Sequence, residues 1–178
     1  ELAELPVGAV NGARIVYVAQ ENAIYYVTGD TIYTRRSNSR NNYFFKYDIA
    51  TNAWESLDND LPPLQINNNG VGMVYDGARY IYLARAGGGA VWWRYDTQAA
   101  SGSRWSAALP TMTGWAHAAG STFLYKDGMI YSTRGGSNVT FFKFDVGANS
   151  WSQLANIPGG ISSARKALLR DRPSRPRR

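Results

Sequence analysis

Cysteine is absent from the 178 residues of this chain. Disulfide bonds, thiolate catalysis and cysteine-ligated metals are therefore excluded, and cysteine usage gives no information on the redox compartment. No apolar run approaches the roughly 20 residues that a membrane-spanning helix needs. The sequence therefore predicts no membrane span.

Histidine occurs once, at His117. Any His-based catalytic or metal site would have to be built around this residue, and no motif of known spacing surrounds it. We therefore interpret His117 as a turn or strand-start residue. The sequence predicts no cofactor and no metal site.

Charged residues are also few, at 18% of the chain, and the formal net charge of +6 comes from one end. Residues 1–160 contain 12 Lys and Arg against 12 Asp and Glu, whereas residues 161–178 contain seven basic residues against Asp171 alone. Residues 1–160 therefore have no formal net charge. We expect residues 170–178 to be a solvated, disordered basic tail, whose contact with nucleic acid is weak and non-specific.

Aromatic residues and glycine are abundant, with 12 Tyr, 6 Trp, 6 Phe and 18 Gly. Flat side chains fill pleated surfaces and glycine suits tight turns, so this composition favours an all-β fold. The length is that of one ordinary domain with a substantial core.

Three stretches of the chain repeat one pattern of strand-like segments. In each, an aromatic segment ends in an aspartate (Asp48, Asp96 and Asp145), and prolines follow at 62, 110 and 158, which are 48 residues apart. A period of about 50 residues that holds several short strands is typical of a β-propeller. Because each unit divides into four strands, we predict four-stranded antiparallel blades.

The strands of each predicted blade are labelled a to d. Strand a is predicted at Ala13–Ala19, Val71–Tyr75 and Ala118–Tyr125, and strand b at Ala23–Thr28, Arg79–Ala84 and Met129–Thr133. Strand c ends in the aspartate, and strand d carries Trp54, Trp105 or Trp151. An Asp-Gly pair at 76–77 and at 127–128 predicts a two-residue hairpin with positive φ at both residues.

The repeated tryptophans and aspartates have a structural interpretation. A catalytic residue is needed once, whereas these residues recur in every unit. We expect the tryptophans to pack between blades and the aspartates to bond to the backbone of their own turns.

A glycine doublet after strand b, then an aromatic residue and a tryptophan, make these units resemble the kelch repeat. The matching residues are Gly135, Gly136, Phe144 and Trp151 in the third unit and Gly87–Gly89, Tyr95 and Trp105 in the second. The first unit departs from the pattern, with Gly29-Asp30 and a long polar loop. The resemblance implies a propeller of the galactose oxidase-like superfamily, which closes with about six or seven blades.

The chain holds three such blades, at about 8–62, 63–110 and 111–158. Residues 161–169 are a candidate first strand of a further blade, and ELAELP at the start resembles the end of a preceding strand d. The chain is therefore expected to be an open arc of a larger propeller, or half of a ring that a homodimer closes with six or seven blades.

The candidate binding site lies on the rim formed by the loops after strands b and d. Arg and amide donors beside aromatic plates suit a protein or glycan ligand. The candidates are Arg35, Arg36, Arg40, Asn68, Arg85, Trp115, His117 and Arg134. The function expected is non-catalytic protein or carbohydrate binding. A supporting fragment of a propeller enzyme and a self-assembling structural subunit stay open as alternatives. An extracellular or periplasmic location is favoured over a cytoplasmic one.

Overall fold

The computed structural model describes residues 1–9, 13–29, 42–63, 71–84, 91–111, 117–118 and 120–159. Within these ranges the chain forms eleven β-strands and two short 3-10 turns, Ala19–Glu21 and Asp58–Asp60. The fold is all-β, as the sequence predicts. In this described part, no helix has the length and apolar character needed to cross a membrane.

The strands form three antiparallel sheets in chain order. The first sheet contains β1 (Arg14–Val18), β2 (Ala23–Gly29), β3 (Asn42–Asp48) and β4 (Ala53–Ser56). The second contains β5 (Gly72–Tyr75), β6 (Tyr80–Ala84) and β7 (Trp92–Asp96). The third contains β8 (Phe123–Lys126), β9 (Met129–Thr133), β10 (Phe141–Asp145) and β11 (Ser150–Gln153). Strands that are consecutive in the chain pair with each other, so each sheet is a simple meander.

The predicted strands match those of the structure with two corrections. The first strand of the third sheet begins at Phe123, five residues after the predicted start at Ala118. The second sheet lacks a regular fourth strand, because Trp105 forms only an isolated bridge with Tyr95. Ser106 explains the interruption: its Oγ, in place of a backbone oxygen, accepts the N–H of Arg94 at 3.0 Å.

One of the two predicted Asp-Gly hairpins is correct and the other is wrong. Asp127 and Gly128 have φ of 50° and 78°, which is the geometry expected of a two-residue turn. Asp76 has no positive φ, and its carboxylate instead accepts three successive backbone N–H groups, those of residues 78–80, at 2.8–2.9 Å. This capping lengthens the turn, so Tyr75 pairs with Ile81.

Two aromatic cores hold the three sheets together. Each sheet has an upstream face toward the preceding sheet and a downstream face toward the following one. The first core joins the downstream face of the first sheet to the upstream face of the second, through Tyr25, Val27 and Phe44 on one side and Ile81, Leu83 and Tyr95 on the other. The second core joins Tyr82, Ala84 and Trp92 to Ile130 and Phe144.

The faces alternate along each strand, so one sheet buries aromatic residues on both sides. Phe44 packs edge-on against Tyr95 with ring centroids 5.0 Å apart, and Trp92 does the same with Phe144 at 4.3 Å. Burying each such side chain contributes about 1.5–3 kcal/mol. A single sheet could not hide both faces, so the sheets depend on one another.

The first strands of the sheets lie side by side. β5 contacts β1 on one side and β8 on the other. The remaining strands follow outward from them in each sheet. This placement fits a propeller-like arrangement.

The tryptophans after each third strand connect neighbouring segments through their indole N–H groups. Trp105 donates to the carbonyl oxygen of Asp60 at 2.8 Å, and Trp151 donates to that of Pro110 at 3.1 Å. Each acceptor belongs to the segment that follows the preceding sheet. The predicted packing between neighbouring units is thus confirmed at the level of sheets for Trp105 and Trp151.

The first sheet obtains the same contact from the N-terminal strap, Glu1–Val7. Trp54 donates to the carbonyl oxygen of Ala3 at 3.4 Å, and the Ala3 N–H donates to Asn52 Oδ1 at 2.8 Å. The hydroxyl of Tyr26 donates to the carbonyl oxygen of Val7 at 3.3 Å. The strap therefore covers the outer strands of the first sheet, in the manner that the sequence similarity of ELAELP suggests.

Candidate binding rim

The meander order gives the molecule two rims. The upper rim carries the connections that follow the second and fourth strands of each sheet, and the lower rim carries those that follow the first and third. The sequence-predicted binding residues belong to upper-rim connections. Six of them, Arg35, Arg36, Arg40, Asn68, Arg85 and Trp115, lie outside the described residues.

His117 and Arg134 are described, and the structure brings their two connections together on the third sheet. The Ala118 N–H donates to the carbonyl oxygen of Arg134 at 2.9 Å, and the Ser121 hydroxyl reaches the same oxygen at 3.4 Å. The Thr133 N–H donates to the carbonyl oxygen of Thr122 at 3.2 Å. These bonds join the residues before Phe123 to the connection after β9. Because these residues form loop contacts, β8 begins later than predicted.

His117 lies inside this junction. Its ring is 8% exposed, its Nε2 is 3.0 Å from Ser132 Oγ, and its centroid is 4.7 Å from that of Phe123. Burial lowers the pKa of His117 to about 4, so the ring is neutral near pH 7. The neutral, buried ring packs against Ser132 and Phe123 and carries no positive charge to a ligand.

The connection after β9 is shaped by three successive residues with positive φ. Gly135, Gly136 and Ser137 have φ of 73°, 61° and 62°. A Cβ built on Gly136 would lie 3.0 Å from the Cβ of Ala118, so the glycine also permits the close approach of the other connection. The glycine doublet that marked this repeat in the sequence is thus required by both conformation and contact.

Asn138 closes the same loop. Its Oδ1 accepts the Thr140 N–H at 2.9 Å and also the Thr140 hydroxyl. The Arg134 N–H donates to the carbonyl oxygen of Thr140 at 3.2 Å. The half-buried Arg134 therefore stands on a loop that is held at both ends.

The lower rim carries the repeated aspartates, whose predicted turn role is confirmed. Asp48, Asp96 and Asp145 accept the backbone N–H groups of Thr51, Gln98 and Ala148 at 2.9–3.0 Å. Just before each tryptophan, a residue with positive φ completes the turn; these residues are Asn52, Gly102 and Asn149. Their recurrence was visible in the sequence and could have predicted the turn.

Sequence reasoning missed an ion pair on the lower rim of the second sheet. Arg79 donates two hydrogen bonds to the carboxylate of Asp96, at 2.7 and 2.6 Å. The Arg79 guanidinium holds the pKa of Asp96 below its usual value. Arg79 is partly exposed, so this pair stabilises a turn and contributes little energy.

A second missed group of polar residues joins the first and second sheets. Asp60 is 3% exposed, and its carboxylate accepts the Gly102 N–H at 2.8 Å and the Ser101 hydroxyl at 3.2 Å. Arg104 lies 3.7 Å from the same carboxylate and donates to the Tyr95 hydroxyl at 2.8 Å. Burial raises the pKa of Tyr95 to about 12, so it stays a neutral phenol.

Among the residues that the structure describes, no three His, Asp or Glu side chains are grouped so that they could hold a metal ion. On the lower rim, the repeated aspartates and Arg79 bond to one another or to the backbone. The joined loops of the third sheet are therefore the best candidate for a ligand site in the described part of the chain.

No family model matches the chain, and no curated protein matches it. Among solved structures, the chain is similar to that of YjhT, with a TM-score of 0.65 and 16% sequence identity over 90% of this chain. The chain spans 57% of the length of that structure. At this identity the similarity concerns the fold alone, and it agrees with a propeller-like arrangement of antiparallel sheets.

Proposed function

We propose that the chain is an arc of three kelch-like blades and that it serves as a non-catalytic module that binds a protein or glycan ligand on its upper rim. Three observations support the blade assignment: the sequence repeats three times, each sheet is a meander, and the fold is similar to that of YjhT. A fold of this type hosts many functions, so the binding role is argued from the rim itself.

The observation that carries the proposal is the junction of the two upper-rim connections on the third sheet. The backbone of Arg134 bonds to Ala118 and to Thr140, and the buried His117 ring packs beside them. A loop that is already ordered loses little conformational entropy when a ligand binds. Arg134 therefore lies in a hydrogen-bonded loop, and the other Arg and Asn candidates of the sequence are assigned to the same rim.

The chemistry of this rim suits ligands that are rich in oxygen acceptors. A guanidinium presents a planar fork of donors to carboxylates, hydroxyls and carbonyls, and a neutral His117 adds no competing charge. Glycans and extended peptides both present such acceptors. Trp115 and the arginines at 35, 36 and 40 are proposed to contribute from neighbouring connections.

The proposal is tested by screening the protein against a glycan array and an immobilised peptide array, and then by titrating the best ligand by calorimetry. Arg134→Ala is expected to weaken binding at least about tenfold. The matched control is Lys126→Ala, which removes one cation from the lower rim and should leave the affinity unchanged. Equal affinities of wild type and Arg134→Ala, at an unaltered melting temperature, would exclude this rim.

An enzyme scaffold is the second candidate, because His117 and Ser132 are in contact. Ser132 is 1% exposed and its hydroxyl also reaches the carbonyl oxygen of Thr133, at 3.3 Å, which favours a structural role. Hydrolysis of an activated ester by the purified chain, lost in Ser132→Ala and His117→Gln, would favour the enzyme over the binding module.

A further inference from the structure

The hydroxyl group of Tyr82 is buried between the second and third sheets without an acceptor. Tyr82 belongs to the second core and is 2% exposed. Among the residues that the structure describes, none forms a hydrogen bond with its hydroxyl. These residues include the lower-rim connections of both sheets. Because a buried O–H group that lacks an acceptor is unfavourable, this hydroxyl is suited to donate to a bound molecule.

Arg94 lies next to this hydroxyl. It pairs with Tyr82 across β6 and β7, and its guanidinium lies over the Tyr80 ring, 4.2 Å from the centroid. Burial raises the pKa of Tyr82 to about 12, and the positive charge of Arg94 acts against this rise, as expected of a close neighbour. A guanidinium donates hydrogen bonds and cannot accept them, so Arg94 does not provide the missing acceptor. In the described part of the chain, no carboxylate forms an ion pair with Arg94.

The first sheet has the same arrangement with a carboxylate added. Tyr25 pairs with Lys46 across β2 and β3, as Tyr82 pairs with Arg94. The Tyr25 hydroxyl donates to Glu21 Oε2 at 2.9 Å, and Lys46 Nζ lies 2.6 Å from the same oxygen. One carboxylate thus accepts from both a phenol and a cation.

The second sheet has an alanine where the first sheet has this glutamate. Glu21 precedes Tyr25 by four residues, in the connection after β1, and the residue four positions before Tyr82 is Ala78. Ala78 is exposed, in the corresponding connection after β5. The carboxylate of Asp76 in the same connection accepts three backbone N–H groups. This connection therefore gives no carboxylate to the Tyr82 hydroxyl.

We propose that the Tyr82 hydroxyl and the Arg94 guanidinium bind the carboxylate of another molecule. This carboxylate takes the place that the Glu21 carboxylate has beside Tyr25. It enters from the lower rim past the exposed Ala78, and the half-buried Arg94 side chain shifts outward to admit it. The site is independent of the ligand site proposed above, because that site lies on the upper rim.

A carboxylate fits this pair of donors better than a neutral acceptor does. The planar guanidinium of Arg94 can donate two parallel hydrogen bonds to its oxygens, and such charge-assisted bonds are stronger than bonds between neutral groups. Tyr82 stays a neutral phenol near pH 7, so it remains a donor. The carboxylate belongs to a small organic acid or to an Asp or Glu side chain of a peptide, and the experiment separates these two sources.

The test is an NMR titration of the full chain that follows the Arg94 Nε–H and Tyr82 ring signals. One probe is acetate, with sodium chloride at equal ionic strength as its reference. The other is a capped tetraglutamate peptide, with tetraglutamine as its reference. We expect saturable shifts of both signals with the carboxylate probes alone. Similar affinities for the two probes indicate a small acid, and an affinity at least about tenfold higher for the peptide indicates an acidic segment. No saturable shift with either probe would overturn the proposal.

Variants locate the binding. Tyr82→Phe and Arg94→Gln should each weaken the binding of acetate at least about tenfold. Tyr25→Phe is the matched control, because it removes the same hydroxyl from the first sheet. Ala78→Glu supplies the carboxylate from the chain itself and should abolish binding, whereas Gln98→Glu adds the same charge to another exposed lower-rim residue and should not. Binding that survives both Tyr82→Phe and Arg94→Gln would take place elsewhere and would contradict the proposal.

Urea unfolding separates a binding site from a hydroxyl that an internal water satisfies. Tyr82→Phe removes a donor that has no protein acceptor, so the midpoint of unfolding should stay the same or rise. Tyr25→Phe loses its bond to Glu21 and should lower the midpoint. Acetate should raise the midpoint of the wild type and leave that of Tyr82→Phe unchanged. Equal losses in the two phenylalanine variants, with no effect of acetate, would assign the Tyr82 hydroxyl to an internal water and overturn the proposal.

Discussion

The indole N–H of Trp151 and that of Trp92 donate to the same backbone oxygen, that of Pro110, at 3.1 and 2.9 Å. Trp92 belongs to the second sheet and Trp151 to the third. The two rings are also in contact, with centroids 4.9 Å apart. One carbonyl group thus couples two sheets, and the equivalent bond of Trp105 to Asp60 couples the first sheet to the second.

We predict that Trp105→Phe lowers the free energy of unfolding by about 1–3 kcal/mol, because a partly buried carbonyl group loses its donor. Urea unfolding followed by fluorescence measures the change. Trp93→Phe is the control, since Trp93 packs against the same core while its indole N–H forms no hydrogen bond with a described residue. If both variants lose the same stability, the bond is not the cause.

The buried carboxylate of Asp60 supports a second prediction about the same junction. Asp60→Ala should lower the free energy of unfolding by about 2–3 kcal/mol, since the Gly102 N–H loses its acceptor. Asp58→Ala is the control, because the exposed Asp58 carboxylate accepts, from the part of the chain that the structure describes, only the Ser56 hydroxyl; this variant should cost at most about 0.5 kcal/mol. The comparison uses chemical denaturation, and equal losses would contradict a special role of Asp60.

The repeat allowed much of the fold to be predicted from the sequence. The second and third strands of each sheet were placed to within about two residues, since their aromatic residues alternate and are buried on both faces. The roles of the tryptophans and aspartates were also predicted. These residues recur in every unit, so they were expected to form the packing contacts and turns that every unit has.

Features that occur in one unit only escaped prediction. Ser106 interrupts a ladder with its side chain, and Asp76 lengthens a turn by accepting three N–H groups. Neither residue type in isolation predicts such a geometry. The pairing of Arg79 with Asp96 and of Arg104 with Asp60 depends on which strands meet, and the repeat does not specify partners for single charged residues.

The candidate site was predicted only in part. Topology correctly placed the connections of His117 and Arg134 on one rim, because a four-stranded meander leaves no other arrangement. The burial of His117 against Ser132 was not predicted, since a lone histidine in a loop carries no signal of its depth. The remaining candidate residues stay predictions.

The joined loops of the upper rim lead to a third prediction. Gly136→Ala should cost more than Gly77→Ala, although both glycines have positive φ. The added Cβ at 136 would lie 3.0 Å from the Ala118 Cβ, whereas the one at 77 meets nothing within 4 Å. We expect about 1 kcal/mol at 77 from backbone strain alone and about 2 kcal/mol at 136.

Thermal melting and urea unfolding of the two variants measure that difference. The double variant Gly136→Ala/Ala118→Gly removes the crowding and should return the cost to that of Gly77→Ala. Equal costs at 136 and 77, or no recovery in the double variant, would show that the two connections are not in tight contact.

The last prediction concerns pH and the only histidine. The pKa of His117 is about 4 in the folded chain, against about 6.5 when unfolded. The unfolded chain therefore binds the proton more readily, and stability that is complete above about pH 6.5 is lost as the pH falls toward 4. We expect the free energy of unfolding to fall by about 2 kcal/mol between about pH 7 and pH 5.

His117→Gln tests this prediction, because the variant keeps a polar side chain near Ser132 but has no group that titrates in this range. Its free energy of unfolding should be nearly constant over the same interval. The carboxylates of Asp48 and Asp96 do not interfere with this measurement. Their pKa values are lowered below the usual value, so their contribution to the free energy of unfolding is lost only in more acidic solution. Two results would contradict a lowered pKa of His117 in the folded chain. One is a wild-type free energy of unfolding that is constant between pH 7 and 5, and the other is the same pH dependence in His117→Gln as in the wild type.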